Sequence, residues 1–185
     1  TYKRLFSTLC FILKNKKLEM RYPTVLSIAG SDSCAGAGIQ ADLKTMSALG
    51  VYGCTAITAI TAQNTTGVRS IQGIDPSILK DQIEMLFDDI EIDAVKSGML
   101  FSKASVEVIA DAISKHKPKF YVLDPVMIST SGSRLIDNDA IVAVKELLFP
   151  LSTLLTPNIK EAEVLSGISI KTTDDMEAAA EKILQ

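Results

Sequence analysis

The sequence of 185 residues has no tryptophan, and aromatic residues make up only 5% of it, so it offers no platform for stacking successive bases. Its net charge is -3, which removes the electrostatic case for a nucleic-acid partner. Cysteine is scarce: Cys10, Cys34 and Cys54 form neither an even disulfide set nor a metal-ligand spacing. A reducing compartment is the simplest inference, and the expected location is therefore cytoplasmic. The single histidine, His116, lies in a Lys-His-Lys segment far from Cys34 in the pattern. Without a nearby base Cys34 reads as a small loop residue rather than a nucleophile. The apolar run Phe6 to Leu13, flanked by Tyr2-Lys3-Arg4 and Lys14-Asn15-Lys16-Lys17, has the outline of a signal peptide but no small-residue cleavage site after it. It is too short to span a bilayer, so no membrane partner is expected.

What is present is a globular composition, 47% hydrophobic and 22% charged, over about one domain's length. Residues 1–24 read differently from the rest and are expected to form an N-terminal extension outside the fold. From residue 25 to 185, strand and helix patterns alternate. Val25 to Ala29, Thr55 to Ala62, Ala94 to Ser97, Phe120 to Leu123 and Leu151 to Thr156 are expected as strands. Between them, helical spacing covers Ile39 to Leu49 and an Asp75-capped segment to Asp89 with Ile78, Leu79, Ile83, Leu86 and Phe87 inward. A further helix, capped by Ser102, runs to Lys115, with Val106, Ile109, Ala110 and Ile113 facing the core. Asn138 to Phe149, Asn158 to Leu165 and Asp174 to Leu184 complete the helices, the last with an apolar stripe of Met176, Ala179, Ala180, Ile183 and Leu184 meant for a sheet face. This is an α/β chain with a mostly parallel central sheet covered on both faces.

The segment Gly30-Ser-Asp-Ser-Cys-Ala-Gly-Ala-Gly-Ile-Gln-Ala-Asp42 joins the first strand to the first helix. Its glycines let a ligand lie against the main chain, and Asp42, one turn into the helix, can point back over the loop as an acceptor. Other polar or soft residues also fall where strands end: Gln63, Met99, Asp124, Val126 and Asn158. Gln63 can read the edge of a heterocycle or cap a turn, and Met99 taken alone reads as core. Lys96 is either a positive contact or a strand lysine whose head reaches the surface.

Gly30-Ser31-Asp32 with Gly36 to Thr45 resembles the opening motif of the hydroxymethylpyrimidine/phosphomethylpyrimidine kinases of thiamine biosynthesis, within the ribokinase-like fold. Thr61 to Thr65, Lys96 to Leu100, Leu123 to Met127 and Thr156 to Ala162 match further family motifs in order. The resemblance implies a three-layer α/β/α kinase using ATP and Mg2+, a homodimer at family length. It places the pyrimidine at Gly30, Asp42, Gln63, Met99 and Val126. It assigns the nucleotide phosphates to Asn158 and Glu161 and the metal to Asp124 and Glu161. One or two carboxylates suffice for a cation that keeps several waters, although Glu161 at a helix start also suits a capping role. In the segment Thr130-Ser131-Gly132 the family often carries Lys where Thr130 stands. The family's distal Lys-Gly-Gly segment and Gly-Thr-Gly-Cys anion-hole loop do not occur in these residues, so no catalytic residue is assigned. The expectation is an incomplete kinase without appreciable phosphoryl transfer. Three other readings stand beside it: a pyridoxal kinase, a fragment that binds a pyrimidine and transfers nothing, and a dinucleotide oxidoreductase suggested by Gly36-x-Gly38-x-x-Ala41.

Overall fold

A computed structural model describes residues 21–127 and 136–184. Thr130-Ser131-Gly132, Cys10 and the run Phe6 to Leu13 lie outside the described residues. The strands are β1 Thr24–Asp32, β2 Tyr52–Asn64, β3 Gly67–Gly73, β4 Ala94–Ser97, β5 Phe120–Leu123 and β6 Leu154–Leu155. They form one sheet in the order β3-β2-β1-β4-β5-β6, parallel throughout except for the antiparallel β2/β3 pair. The helices are α1 Gly38–Ala48, α2 Pro76–Asp89, α3 Lys103–His116, α4 Asn138–Ala143, α5 Ile159–Ser166 and α6 Thr173–Ile183.

The order of the strands explains the layers. The crossover from β1 through α1 leads to β2 on one side, and every later parallel crossover travels the other way. Right-handed crossovers in opposite directions put their helices on opposite faces. The two faces differ in character. Leu26 and Ile28 of β1, with Ala56 and Val95, pack against Leu79 and Ile83 of α2 and Val106, Ile109 and Ile113 of α3 in the main apolar core. On the other face the same strand presents Ser27 and Ala29 to α1, whose buried residues are Ile39 and Met46. The strand at Thr24 and the Arg21 side chain, which donates to the carbonyl of Glu91 at 2.6 Å and pairs with Asp93, begin the folded part ahead of residue 25.

Local chemistry sets the boundaries. Asp75 caps α2 by accepting from the Ser77 amide, with Pro76 at the first helical position, and Ser102 caps α3 through the Ser105 amide. The stripe on α2 is narrower than expected: Ile78 is half-exposed because the core residues Leu79, Ile83 and Leu86 define a face one position round the helix. Strand β3 has no expected counterpart in the sequence. It forms because Asn64 closes a tight turn, its Oδ1 accepting from the Thr66 amide at 2.9 Å and the Gly67 amide at 3.1 Å. The expected helix over 138–149 is helical throughout but loosens from α4 into a π-helical segment, Val144–Leu148, and then a 3-10 turn, Phe149–Leu151, at Pro150. That turn takes Leu151 out of the expected strand, of which only Leu154–Leu155 pairs with β5.

Helix α6 starts at a capping box of Thr172 and Asp175 and packs on α5 rather than on the sheet. Ala179 is buried against that neighbour, whereas Met176, Ala180 and Leu184 of the expected stripe are exposed.

The asymmetry of burial gives a direct test. Truncating Ile109, fully buried on α3, to Ala should cost about 2–5 kcal/mol in urea unfolding, and Val142→Ala, half-exposed on α4, should stay within about 0.5 kcal/mol. Equal midpoints for the two variants would contradict the core described here.

Candidate active site

Strand β1 is flanked by β2, reached through α1, and by β4, reached from the other direction. Crevices for ligands open at such a reversal, beyond the carboxyl ends of the strands. A cavity of about 270 Å³ lies there, lined by the ends of β1, β2, β4 and β5 and by the first turns of α1.

Its floor is built by Asp32, the last residue of β1 and one the sequence reading did not single out. Its Oδ1 accepts from the Cys34 amide and its Oδ2 from the amides of Gly36 and Ala37, each at 2.9 Å, and the Cys34 thiol donates to Oδ2 at 3.4 Å. Burial pushes this carboxyl up, but those donors outweigh it and hold the group below its ordinary value. The loop is thus wound around one carboxylate. Gln40 fastens the helix to the strand by accepting from the Asp32 amide at 2.9 Å and donating to the Ser31 hydroxyl at 2.7 Å. Ser33 ties the loop to β2 by donating to the Gln63 carbonyl at 2.6 Å and accepting from the Gln63 amide.

Two glycines allow the close approach. Gly38 has φ +59°, and a Cβ there would lie 2.2 Å from the Gly30 carbonyl oxygen, so no side chain fits. A Cβ on Gly30 would come within 2.6 Å of the Met99 Cε, so the thioether of Met99 lies directly over that glycine. Gly30 also marks the irregularity where the β1/β2 register shifts between Ala29 and Ser31, which turns its backbone out of the ladder.

Asp42 does not point back over the loop as expected. It lies on the helix face of Ile39 and Met46, and that face meets the sheet. Its Oδ2 accepts from the Ser27 hydroxyl at 2.5 Å and from the Lys96 Nζ at 3.1 Å. Ser27 and Lys96 are direct partners in the β1/β4 register, so the ladder itself aims both at this carboxylate. Lys96 neither reaches for the surface nor stands as an unpaired cation: it also lies 3.6 Å from Asp124 at the end of β5. Burial raises the Asp124 carboxyl above its ordinary value, Lys96 works against that rise, and the charge of Asp42 adds to it. One signal for this cluster was available in the sequence, namely Ser27 interrupting an otherwise apolar strand.

The structure brings Gly30, Asp42, Gln63, Met99 and Val126 together in this one cavity, with Lys96 and Asp124 on its wall. Gln63 is half-buried, its Oε1 3.4 Å from the Thr61 hydroxyl. Asn158 and Glu161 do not line it. Asn158 Oδ1 accepts from the Glu161 amide at 3.0 Å, and Glu161 Oε2 accepts from the Asn158 amide at 2.9 Å, a capping box at the start of α5. The other Glu161 oxygen faces the Met127 amide at 3.4 Å, just past β5. Glu161 is buried, which raises its carboxyl, and the charge of nearby Asp124 raises it further. Among the described residues no group of three or more His, Cys, Asp or Glu side chains forms a ready metal cage, and no helix is long and apolar enough to cross a membrane.

The family model described as phosphomethylpyrimidine kinase matches residues 32–185. The crystal structure of phosphomethylpyrimidine kinase from Clostridium difficile 630 superposes with a TM-score of 0.82 at 50% identity, covering 88% of this chain and 71% of that one. This chain belongs to the phosphomethylpyrimidine kinase family. Its fold is accordingly ribokinase-like, and the dinucleotide-oxidoreductase reading falls. The hydroxymethylpyrimidine/phosphomethylpyrimidine kinase of Bacillus subtilis is 44% identical over 160 residues, covering 86% of this chain; the chain spans 59% of that relative's length. At 34% identity and a TM-score of 0.79, the pyridoxal kinase of Staphylococcus aureus, solved with AMP-PCP and pyridoxal, is a more distant neighbour.

The position of Asp124 carries a stability test whose sign follows from its raised carboxyl. Below the ordinary value of 3.8 both folded and unfolded states bind the proton, so the group has no effect. As pH rises past that value the unfolded chain ionises first, and folding stability falls until the folded group ionises too. Asp124→Asn should therefore raise the melting temperature at pH 7 and leave it nearly unchanged at pH 3. A variant less stable than the parent at pH 7 and equal to it at pH 3 would show that the Lys96 contact outweighs burial.

Proposed function

We propose that this protein binds 4-amino-5-hydroxymethyl-2-methylpyrimidine and its monophosphate and that, at family length, it phosphorylates them from ATP with Mg2+, in the cytoplasm and as a homodimer. The observation that supports this most directly is the convergence of Gly30, Asp42, Gln63, Met99 and Val126 on one cavity of about 270 Å³. That volume suits a single six-membered ring, just below the range of drug-sized pockets. The chemistry of the wall suits an aminopyrimidine. Asp42 offers carboxylate oxygens as acceptors for an amino group, the Gln63 amide can donate and accept along a ring edge, and Met99 and Val126 offer apolar surface to the ring faces. Gly30 lets the ring lie close to the main chain because nothing projects from it.

Asp124 and Glu161 fit a hydrated divalent cation better than a closed cage. Glu161 is buried and Asp124 half-buried, and both carboxyls have raised proton affinity, a strain that a cation arriving with phosphate oxygens would relieve. Bound there, Mg2+ would neutralise charge on the transferring phosphoryl oxygens. The protein's own part is to hold the ring, hold the two carboxylates at the carboxyl ends of β5 and β6, and keep Asp42 oriented through Ser27 and Lys96. Pyridoxal is the competing ligand, since the S. aureus neighbour was solved with it.

Calorimetric titration with each ligand decides between them. The hydroxymethylpyrimidine should bind at least about tenfold more tightly than pyridoxal, and Asp42→Asn should weaken it by about 1.5–3 kcal/mol, the range for a hydrogen bond to a charged group. Tighter binding of pyridoxal would reassign the substrate, and no binding of either would overturn the proposal.

A further inference from the structure

Lys96 stands between the two halves of the site, and its geometry is unequal. Its Nζ lies 3.1 Å and 3.3 Å from the two Asp42 oxygens but 3.6 Å from Asp124 Oδ2, beyond ordinary hydrogen-bond length. The backbone is fixed by pairing with Ser27 in β1 and Val122 in β5. The side chain crosses Gly98, where a Cβ would lie 3.0 Å from the Nζ, so the absence of a side chain there leaves the ammonium its place between the carboxylates. Asp42 is held from its other side by Ser27, whereas Asp124 depends on Lys96 for its only ion pair among the described residues.

We infer that Lys96 is a positioning residue that couples the two ends of the site: a divalent cation at Asp124 displaces the ammonium, which then serves Asp42 alone and fixes it for the pyrimidine. The inference rests on the reading of Asp42 as a pyrimidine contact and Asp124 as a metal contact. Two cations compete for Asp124, so the metal drives Lys96 toward the carboxylate it already holds more closely. By linkage the pyrimidine must then favour the metal to the same extent.

The consequence is a pair of effects of opposite sign. In Lys96→Gln the metal loses a like-charged competitor and the pyrimidine loses its positioned acceptor. Mn2+ titrated alone, followed by water-proton relaxation, should bind about five- to tenfold more tightly to Lys96→Gln than to the parent, while calorimetry should show hydroxymethylpyrimidine bound about tenfold or more weakly. Addition of Mg2+ should tighten pyrimidine binding in the parent and not in the variant. General loosening of the fold would weaken both ligands, so weakening of both overturns the inference, as does no change in either. Parent protein that fails to bind the pyrimidine at all would instead sink the proposed function. A measurement on the unsubstituted chain covers the case in which Lys96→Gln does not fold. The Lys96 ε-methylene resonance, assigned by its loss in Lys96→Arg, should shift when Mg2+ is added without pyrimidine, and a resonance that does not move overturns the inference.

Discussion

Helix α1 begins on top of strand β1 with no room for a side chain between them. A Cβ at Gly38 would sit 2.2 Å from the Gly30 carbonyl, closer than any relaxed contact permits. This single approach fixes the start of the helix relative to the sheet. Because the start is fixed, Asp42 one turn later arrives over Ser27 and Lys96, and Ile39 and Met46 close the interface on either side. Asp32 maintains the approach by drawing three amides of the intervening loop onto one carboxylate. The cavity is the space left over when strand, loop and helix are joined in this way.

Charge in that space is unevenly balanced. Asp42 and Asp124 share Lys96, and Glu161 lies close enough for Asp124 to raise its carboxyl. Burial already disfavours ionisation of Asp124 and Glu161, so neutral pH finds them at a cost that packing elsewhere must offset. The same desolvation that costs stability makes each carboxylate a stronger partner for an arriving cation, because an interaction is weakened less where water is excluded. Function and stability therefore pull in opposite directions beyond the ends of β5 and β6.

Much of this was legible in the sequence, for physical reasons that differ from element to element. Helix α3 was readable because Val106, Ile109, Ala110 and Ile113 recur at helical spacing after a serine cap, and the structure buries all of them. The gathering of Gly30, Gln63, Met99 and Val126 follows from their places at strand ends, since parallel strands put all such ends on one side. Asp42 shows where that reasoning stops. Its position in the helix was clear, but its direction depended on Gly38 and on the register of Ser27 with Lys96, which are long-range facts. Strand β3 was hidden for a related reason: its sequence carries no clear alternation, and it exists because Asn64 turns the chain back on β2. Ile78 and Met176 were misplaced because a helical stripe gives a period but not the partner that decides its width.

The two faces of the sheet divide the labour that this site demands. On the face of α2 and α3, β1 contributes Leu26 and Ile28, both fully buried, to a continuous apolar core. Turned over, the same strand contributes Ser27, and its neighbour β4 contributes Lys96 from between Val95 and Ser97. Strand alternation makes this possible, because a residue's face is set by its parity and the apolar set is undisturbed by what stands between its members. A polar triad on the α1 face can therefore be built without opening a hole in the main core. At the junction of β1 with β4 the buried Ser27 and the half-buried Lys96 form a register pair that the Asp42 carboxylate reaches from α1, and the reversal of the chain puts the crevice at the same place.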